Sequence, residues 1–277
     1  MVRLTSFFMY LTRLPHFCRP NVWPTAALPA LEPALKNLGA LICSVGLLLA
    51  RHCDAYVARR ASDPGAARME RTIAESRCVG CDARFIHVEL VEIEQPLRRC
   101  TKNACMHRRC CKSRLLHYFP RTYAGAGKCD SGDYSSWCGW HLDHGSLTGL
   151  TCASFYDSAG NEVPSPDDTA GLYIRSRSGA VVRARFGPHQ LAFQMGEATQ
   201  VHSGGLLVAT PHCVRAPSSG PAGIARNTFA VFMQPHFDAP MDVPPGCSPG
   251  VVHWAPGQDF GGFSAAKVAQ YYKVNQS

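Results

Sequence analysis

Apolar residues recur along this chain with two different periods, and the change from one to the other organises it. Leu35, Leu38, Ile42, Val45 and Leu49 fall three or four positions apart, which puts them on one face of a helix. Pro33 stands near its start, and Arg51 and His52 follow it, where the negative end of a helix favours cations. The apolar run NLGALICSVGLLLA, residues 37 to 50, is shorter than the roughly 20 residues that cross a bilayer. A buried amphipathic helix, not a membrane anchor, is the expectation. Residues 54 to 77 are polar and rich in Ala and Arg, and predict a second, exposed helix. In ARFIHVELVEIE, 83 to 94, Ile86, Val88 and Leu90 alternate with His87 and Glu89, the period of a strand.

From Leu115 onward the dominant period is two. The runs LLHYFP, GWHLDHGSLTGLTCASFY, GLYIRSRSGAVVRARF, QLAFQMG, LLVATPHCVRAP and RNTFAVFMQP are separated by Gly, Ser and Pro. Short strands with Ser-Gly turns predict an antiparallel sandwich or jelly roll. Residues 237 to 262, rich in Pro and Gly, read as an irregular wrap, and Ser264 offers an N-cap for a short helix through Tyr272. The fold class is therefore mainly β with flanking helices. Four regions are expected: a helical N-terminal segment over 1–77, a Cys- and Arg-rich insertion over 78–112, a β core over 113–236, and the wrap with its helix over 237–277.

With 277 residues, 46% apolar and 17% charged, the chain can bury a full core. A net charge of +8 suits a nucleic-acid or phosphate partner, so its distribution decides. No acid lies between Arg98 and Lys128, but few aromatics are interleaved there for stacking on bases; a solvated basic face is expected, not nucleic-acid binding. Eight of the fourteen cysteines lie from Cys78 to Cys138. In a chain of this length without a clear signal peptide they read as reduced thiols. Cys78-x-x-Cys81 with Cys100, Cys105 and Cys110 has looser spacing than a zinc ribbon, so an insertion without metal is expected. Arg3, Arg13 and Arg19 precede the first acid, Glu32, as in an organelle leader, but hydroxylated residues are few. A reducing cytoplasmic setting is the expectation, with organelle targeting as the alternative.

The stretch GWHLDHGSLTGL, 139 to 150, sets His141, Asp143 and His144 among apolar and small residues. Positions i and i+2 of a strand share a face, so His141 and Asp143 project together while Leu142 and His144 face away. A buried carboxylate needs compensation, and a divalent cation supplies it better than one imidazole. Two side chains hold a metal poorly, so a third is expected from a distant strand, with His189, His202, His212 and His236 as candidates. His212, late in LLVATPHCV, is where a jelly roll brings an imidazole beside His141. Two histidines and a carboxylate on one octahedral face leave three positions open, the pattern of non-haem Fe(II) oxygenases. Taken alone, the residues also suit a hydrogen-bonded pair at a strand end and an unrelated loop histidine.

Five segments carry a resemblance: SWCGWHLDHGSLTGLT, GLYIRSRSG, LAFQMGEATQVHSGG, ATPHCVRAP and ARNTFAVFMQP. In them the chain resembles the iron(II)- and 2-oxoglutarate-dependent oxygenases of the isopenicillin N synthase-like superfamily, in the family's order and over residues 136–235, with weaker likeness in LLHYFP and in 31–57. The resemblance implies a distorted double-stranded β-helix in which His141, Asp143 and His212 ligate Fe(II). It implies that Arg226 and Thr228 match the family's R-x-S pair, which holds the distal carboxylate of 2-oxoglutarate. The chemistry suits them: a guanidinium offers a planar fork, and a hydroxyl two positions on shares its face. The implied activity is oxidation, by default hydroxylation, of a small organic molecule with O2, releasing succinate and CO2. Its rivals are an oxidase of the isopenicillin N synthase type, which does without 2-oxoglutarate, and a non-catalytic metal-binding relative. The implied partners are a small-molecule substrate and O2, with neither nucleic acid nor membrane; the substrate and the oligomeric state are not legible.

Several positions carry finer expectations. Many family members place a tyrosine just before a proline on the strand preceding H-x-D; alignment on Pro120 puts Phe119 there and Tyr118 on the opposite face, so neither is counted in the site. The portion before the match is short for the family, which suggests a truncated N-terminal region. His144 is expected to be a core histidine, His202 a turn histidine, Glu197 a structural acid at a turn, and Gly204 with Gly205 a tight turn of positive φ.

Overall fold

The computed structural model describes residues 23–76, 87–93, 111–120, 137–219, 223–251 and 253–274. The expectations on the N-terminal leader, on Ile86, on the cysteines from Cys78 to Cys110 and on most of the basic run therefore lie outside the described residues.

Helix α1 spans Leu31–Ala58 and α2 Met69–Ser76. Strands β1 (His87–Ile93), β2 (Lys112–Tyr118), β3 (Cys138–His141), β4 (Leu147–Thr151), β5 (Ser154–Tyr156) and β6 (Glu162–Val163) come next. They are followed by β7 (Gly171–Arg175), β8 (Val181–Arg183), β9 (Leu191–Met195), helix α3 (Glu197–His202), β10 (His212–Arg215), β11 (Ala225–Met233) and helix α4 (Phe260–Val274). One sheet runs β1-β2-β11-β4-β9, with β5 also on β11 and β6 on β5; the other runs β3-β10-β7-β8. All pairings are antiparallel except β1 with β2. A parallel pair needs a long connection, and the chain between Ile93 and Lys112 provides it. The architecture is the expected jelly roll with flanking helices.

Strand alternation divides the larger sheet into two faces. Leu115, Phe229, Val231, Met233, Leu147 and Phe193 point outward and pack with Leu35, Ile42, Cys43 and Ala50 of α1. Gly149 lets the helix lie close, for a Cβ there would stand 2.4 Å from Ile42 Cγ2. The opposite face turns towards the smaller sheet, where Tyr118, Trp137, Phe155, Val214 and Ile224 form a second cluster. A third cluster, Ala198, Val201, Met241, Phe260 and Phe263, joins α3, the wrap and α4.

Four local expectations change. Helix α1 has 28 residues and is long and apolar enough to cross a membrane by length and composition, so the shortness of the run 37–50 does not distinguish it. Packing of its Ile42 face on the sheet is the observation that bears on its setting. Its end lies past Arg51, which pairs with Glu70 at 2.7 Å instead of serving the last turn. The polar stretch after it is not an exposed helix: α2 buries Met69, Thr72, Ile73 and Ser76, and Asp54 accepts hydrogen bonds from the Met69 and Glu70 amides at 2.8 Å. Finally, α4 begins at Phe260, because Asp259 Oδ1 accepts from the Gly262 amide at 2.7 Å and caps it ahead of Ser264.

Candidate metal centre and anion pocket

His141 ends β3 and His212 begins β10, and the two are direct cross-strand partners. Their rings lie 4.1 Å apart. Asp143 has already left the strand, in the link from β3 to β4, yet its Oδ1 stands 3.9 Å from His212 Nε2. One ligand atom from each of the three lies within 4.8 Å of the others. Among the other candidates, His189 is an exposed loop residue, and His236 Nδ1 meets Asp238 at 2.7 Å. His202 is no turn residue: it closes α3 and donates from Nε2 to the Pro240 carbonyl at 3.2 Å. His144 packs against Phe260, its ring held to a pKa of about 4 by burial, in keeping with a core histidine. Glu197 opens α3 and pairs with Lys267 at 2.6 Å, while Gly204 and Gly205 have φ of 61° and 86°.

The register explains how a short segment serves the site. Between Val214↔Cys138 and His212↔His141 the smaller sheet has one extra residue on β3, a β-bulge. Cys138 and His141, three apart, consequently share the interior, with Cys138 Sγ 3.8 Å from His141 Nδ1.

Each imidazole is oriented from behind. His141 Nδ1 donates to the Gly139 carbonyl at 2.8 Å and His212 Nδ1 to the Thr210 carbonyl at 3.0 Å, which leaves both Nε2 atoms for a ligand role. On Asp143, Oδ2 accepts from Thr148 Oγ1 at 2.6 Å and from Gln194 Nε2 at 2.7 Å. Burial opposes the charged carboxylate, but the proximity of His212 and His141 and these two bonds hold its pKa low. Burial, then the proximity of His141, brings His212 to about 4, so it stays neutral and its lone pair is available. For His141 burial is outweighed by Cys138 and Asp143, which raise it to about 9.

On the larger sheet, Arg226 and Thr228 share the interior face of β11 and are 5% and 7% exposed. Arg226 Nε and Nη1 have no hydrogen-bond partner, although burial disfavours the charge and pulls its pKa down. Thr228 donates its hydroxyl to the Thr151 carbonyl at 3.1 Å. Tyr118 is the cross-strand partner of Arg226, buried, with its ring 5.1 Å from the guanidinium and its hydroxyl hydrogen-bonded to it. The expected faces are thus reversed: Tyr118 points in, while Phe119 packs edge-on against His117 at 4.6 Å, and His117 meets Asn227 of the outer face. Alignment on Pro120 missed this because parity along β2 follows its pairing with β11. Thr148 and Gln194 were also missed; the one signal was a lone amide in the apolar run LAFQM.

The fold matches a crystal structure of a protein assigned to the 2OG-Fe(II) oxygenase family from Caulobacter crescentus, with a TM-score of 0.56 and 15% identity over 96% of this chain and 68% of that one. A full-length Neurospora crassa protein crystallised in complex with alpha-KG gives 0.43 and 21% over 58% of this chain and 45% of that one. The dioxygenase for auxin oxidation of rice gives 0.38 and 20% over 58% of this chain and 47% of that one. The chain spans less than half the length of the Neurospora and rice proteins. No protein-family profile matches the chain. No curated protein matches it. The Caulobacter likeness shows the jelly-roll fold, in whose interior the His–Asp–His triad lies.

Proposed function

We propose that this chain belongs to the iron(II)- and 2-oxoglutarate-dependent oxygenases and oxidises a small organic molecule, hydroxylation being the default outcome. The observation that carries the reading is the pairing, in one interior, of the triad with a buried guanidinium whose Nε and Nη1 are unpartnered. An unsatisfied buried donor is costly, so these N–H groups call for an acceptor, and a carboxylate supplies a charge-assisted one. The donor set suits iron equally: two imidazole nitrogens, that of His212 already neutral and that of His141 giving up its proton when a cation binds, and one carboxylate oxygen leave coordination positions open for reactants.

His141 and His212 would hold the metal by Nε2 and Asp143 by Oδ1, with His212 Nε2 exchanging its 3.0 Å contact with Gln194 Nε2 for the metal. Arg226 would bind the distal carboxylate of 2-oxoglutarate, steadied by Tyr118, with the Thr228 hydroxyl on the same face. Iron with 2-oxoglutarate and O2 supplies the oxidising power, with succinate and CO2 as co-products. Trp137, Phe155 and Val214 wall the interior with apolar surface that keeps water from the reacting centre. A reducing, cytoplasmic setting belongs to the proposal, since both Fe(II) and the free thiols of Cys138 and Cys152 persist there.

The test is anaerobic loading with Fe(II) followed by 2-oxoglutarate titration at the metal-to-ligand charge-transfer band. The band is expected in the unaltered protein and lost in Arg226→Ala. A metal-loaded protein without the band, and without succinate release on admitting O2, would leave the oxidase rival in its place.

A further inference from the structure

We infer that Gln194 is a positioning residue that holds Asp143 and His212 in register for a divalent cation and, with Thr148, selects the carboxylate oxygen that faces it. The inference rests on the metal-site reading above. Gln194 lies on the interior face of β9, 9% exposed, as the cross-strand partner of Thr148. Its Nε2 is 2.7 Å from Asp143 Oδ2 and 3.0 Å from His212 Nε2. Because His212 Nδ1 donates to Thr210, Nε2 of that ring carries a lone pair; carboxylate and imidazole both accept, so both require the amide's NH2 end.

Two consequences follow. Thr148 and Gln194 place both donors on Oδ2, so Oδ1, the oxygen 3.9 Å from His212 Nε2, is the one presented to a cation, and Asp143 binds through a single oxygen. Moreover, the two histidines belong to the smaller sheet and Thr148 and Gln194 to the larger, so Gln194 ties the ligands together across the interior before any ion arrives. On binding, the His212 lone pair turns to the cation and Gln194 gives up that contact. It keeps the bond to the carboxylate, which is charge-assisted and about twice as strong as a neutral one. Loss of the amide therefore weakens cation binding on balance, by the roughly 10- to 100-fold usual for groups that orient a ligand.

The experiment titrates the metal-free protein with Co(II), followed by visible absorption and calorimetry, with His212→Ala as the site control. Gln194→Leu and Thr148→Val are each expected to lose about 10- to 100-fold in affinity and to alter the Co(II) spectrum. Thr148→Ser, which keeps the hydroxyl, is expected to retain both, a distinction that a packing role would not make. Melting of the metal-free variants establishes folding, and Gln194→Met, the nearer apolar shape, replaces Leu if that variant does not fold. Unchanged affinity and spectrum in the Gln194 variant, with binding still abolished by His212→Ala, overturns the inference and leaves the metal centre standing. Failure of the unaltered protein to bind Co(II), or binding indifferent to His212→Ala, overturns the metal reading and the inference with it.

Discussion

A single inversion of strand parity decides which residue of LLHYFP serves the interior. Tyr118 is paired with Arg226, whereas Phe119 lies on the face of His117. Tyr118→Phe removes one hydrogen bond to a charged group, about 1.5 kcal/mol or more, and is expected to weaken 2-oxoglutarate roughly tenfold. Phe119→Tyr is expected to change it little, and titration of the cosubstrate band distinguishes the two. The result would reverse if the outer-face position held the cosubstrate. At this scale the clustering of His141, Asp143 and His212 was legible, H-x-D from its spacing in the chain and His212 from the family resemblance. Its supports were not. Thr148 and Gln194 take their meaning from a carboxylate that the fold brings to them, and neither is unusual in its own segment.

Elements as a class were easier to read than their ends. Period two identified the strands, since every inward position must be apolar or paired, but the helix boundaries depend on capping groups remote in sequence, such as Asp54 for α2. The same kind of remote cap fixes the connection that leads into β11. Asp167 Oδ1 accepts from the Thr169 and Ala170 amides at 2.8 and 2.7 Å, while its Oδ2 accepts from the Ser218 and Ser219 amides at 2.6 and 3.0 Å. Although its limited burial works the other way, these bonds hold the Asp167 carboxyl well below the usual carboxylate range. A depressed folded pKa contributes stability that is present above the unfolded value, about 3.9, and lost as pH falls through the folded one. Asp167→Ala should therefore cost about 1 kcal/mol at neutral pH, because solvent screens the carboxylate, and the deficit should shrink as the pH drops below about 4. Urea unfolding at a series of pH values checks it; a deficit independent of pH would mean that packing, not the charge, matters at this position.

For the whole molecule, the two sheets enclose an interior whose chemistry is contributed unequally. The smaller sheet provides both imidazoles, the larger provides Arg226, Thr228, Thr148 and Gln194, and the link carrying Asp143 joins them. A cation seated on the triad would act as a clip between elements that otherwise meet through side-chain packing and hydrogen bonds such as that of Gln194 with His212. An ion bound only by the folded state stabilises it by RT ln(1 + [L]/Kd), about 2.7 kcal/mol at a hundredfold excess over Kd. Thermal unfolding with Co(II) in that excess should rise accordingly in the unaltered protein and return to its starting value with a chelator. His212→Ala should melt at the same temperature with and without the ion. Thiols outside any disulfide offer the ion a competing home, Cys138 within the site and Cys43, Cys53, Cys111, Cys152, Cys213 and Cys247 elsewhere among the described residues. An equal rise in His212→Ala would therefore assign the stabilisation to sulfur and not to the clip, because removing one imidazole leaves every thiol in place.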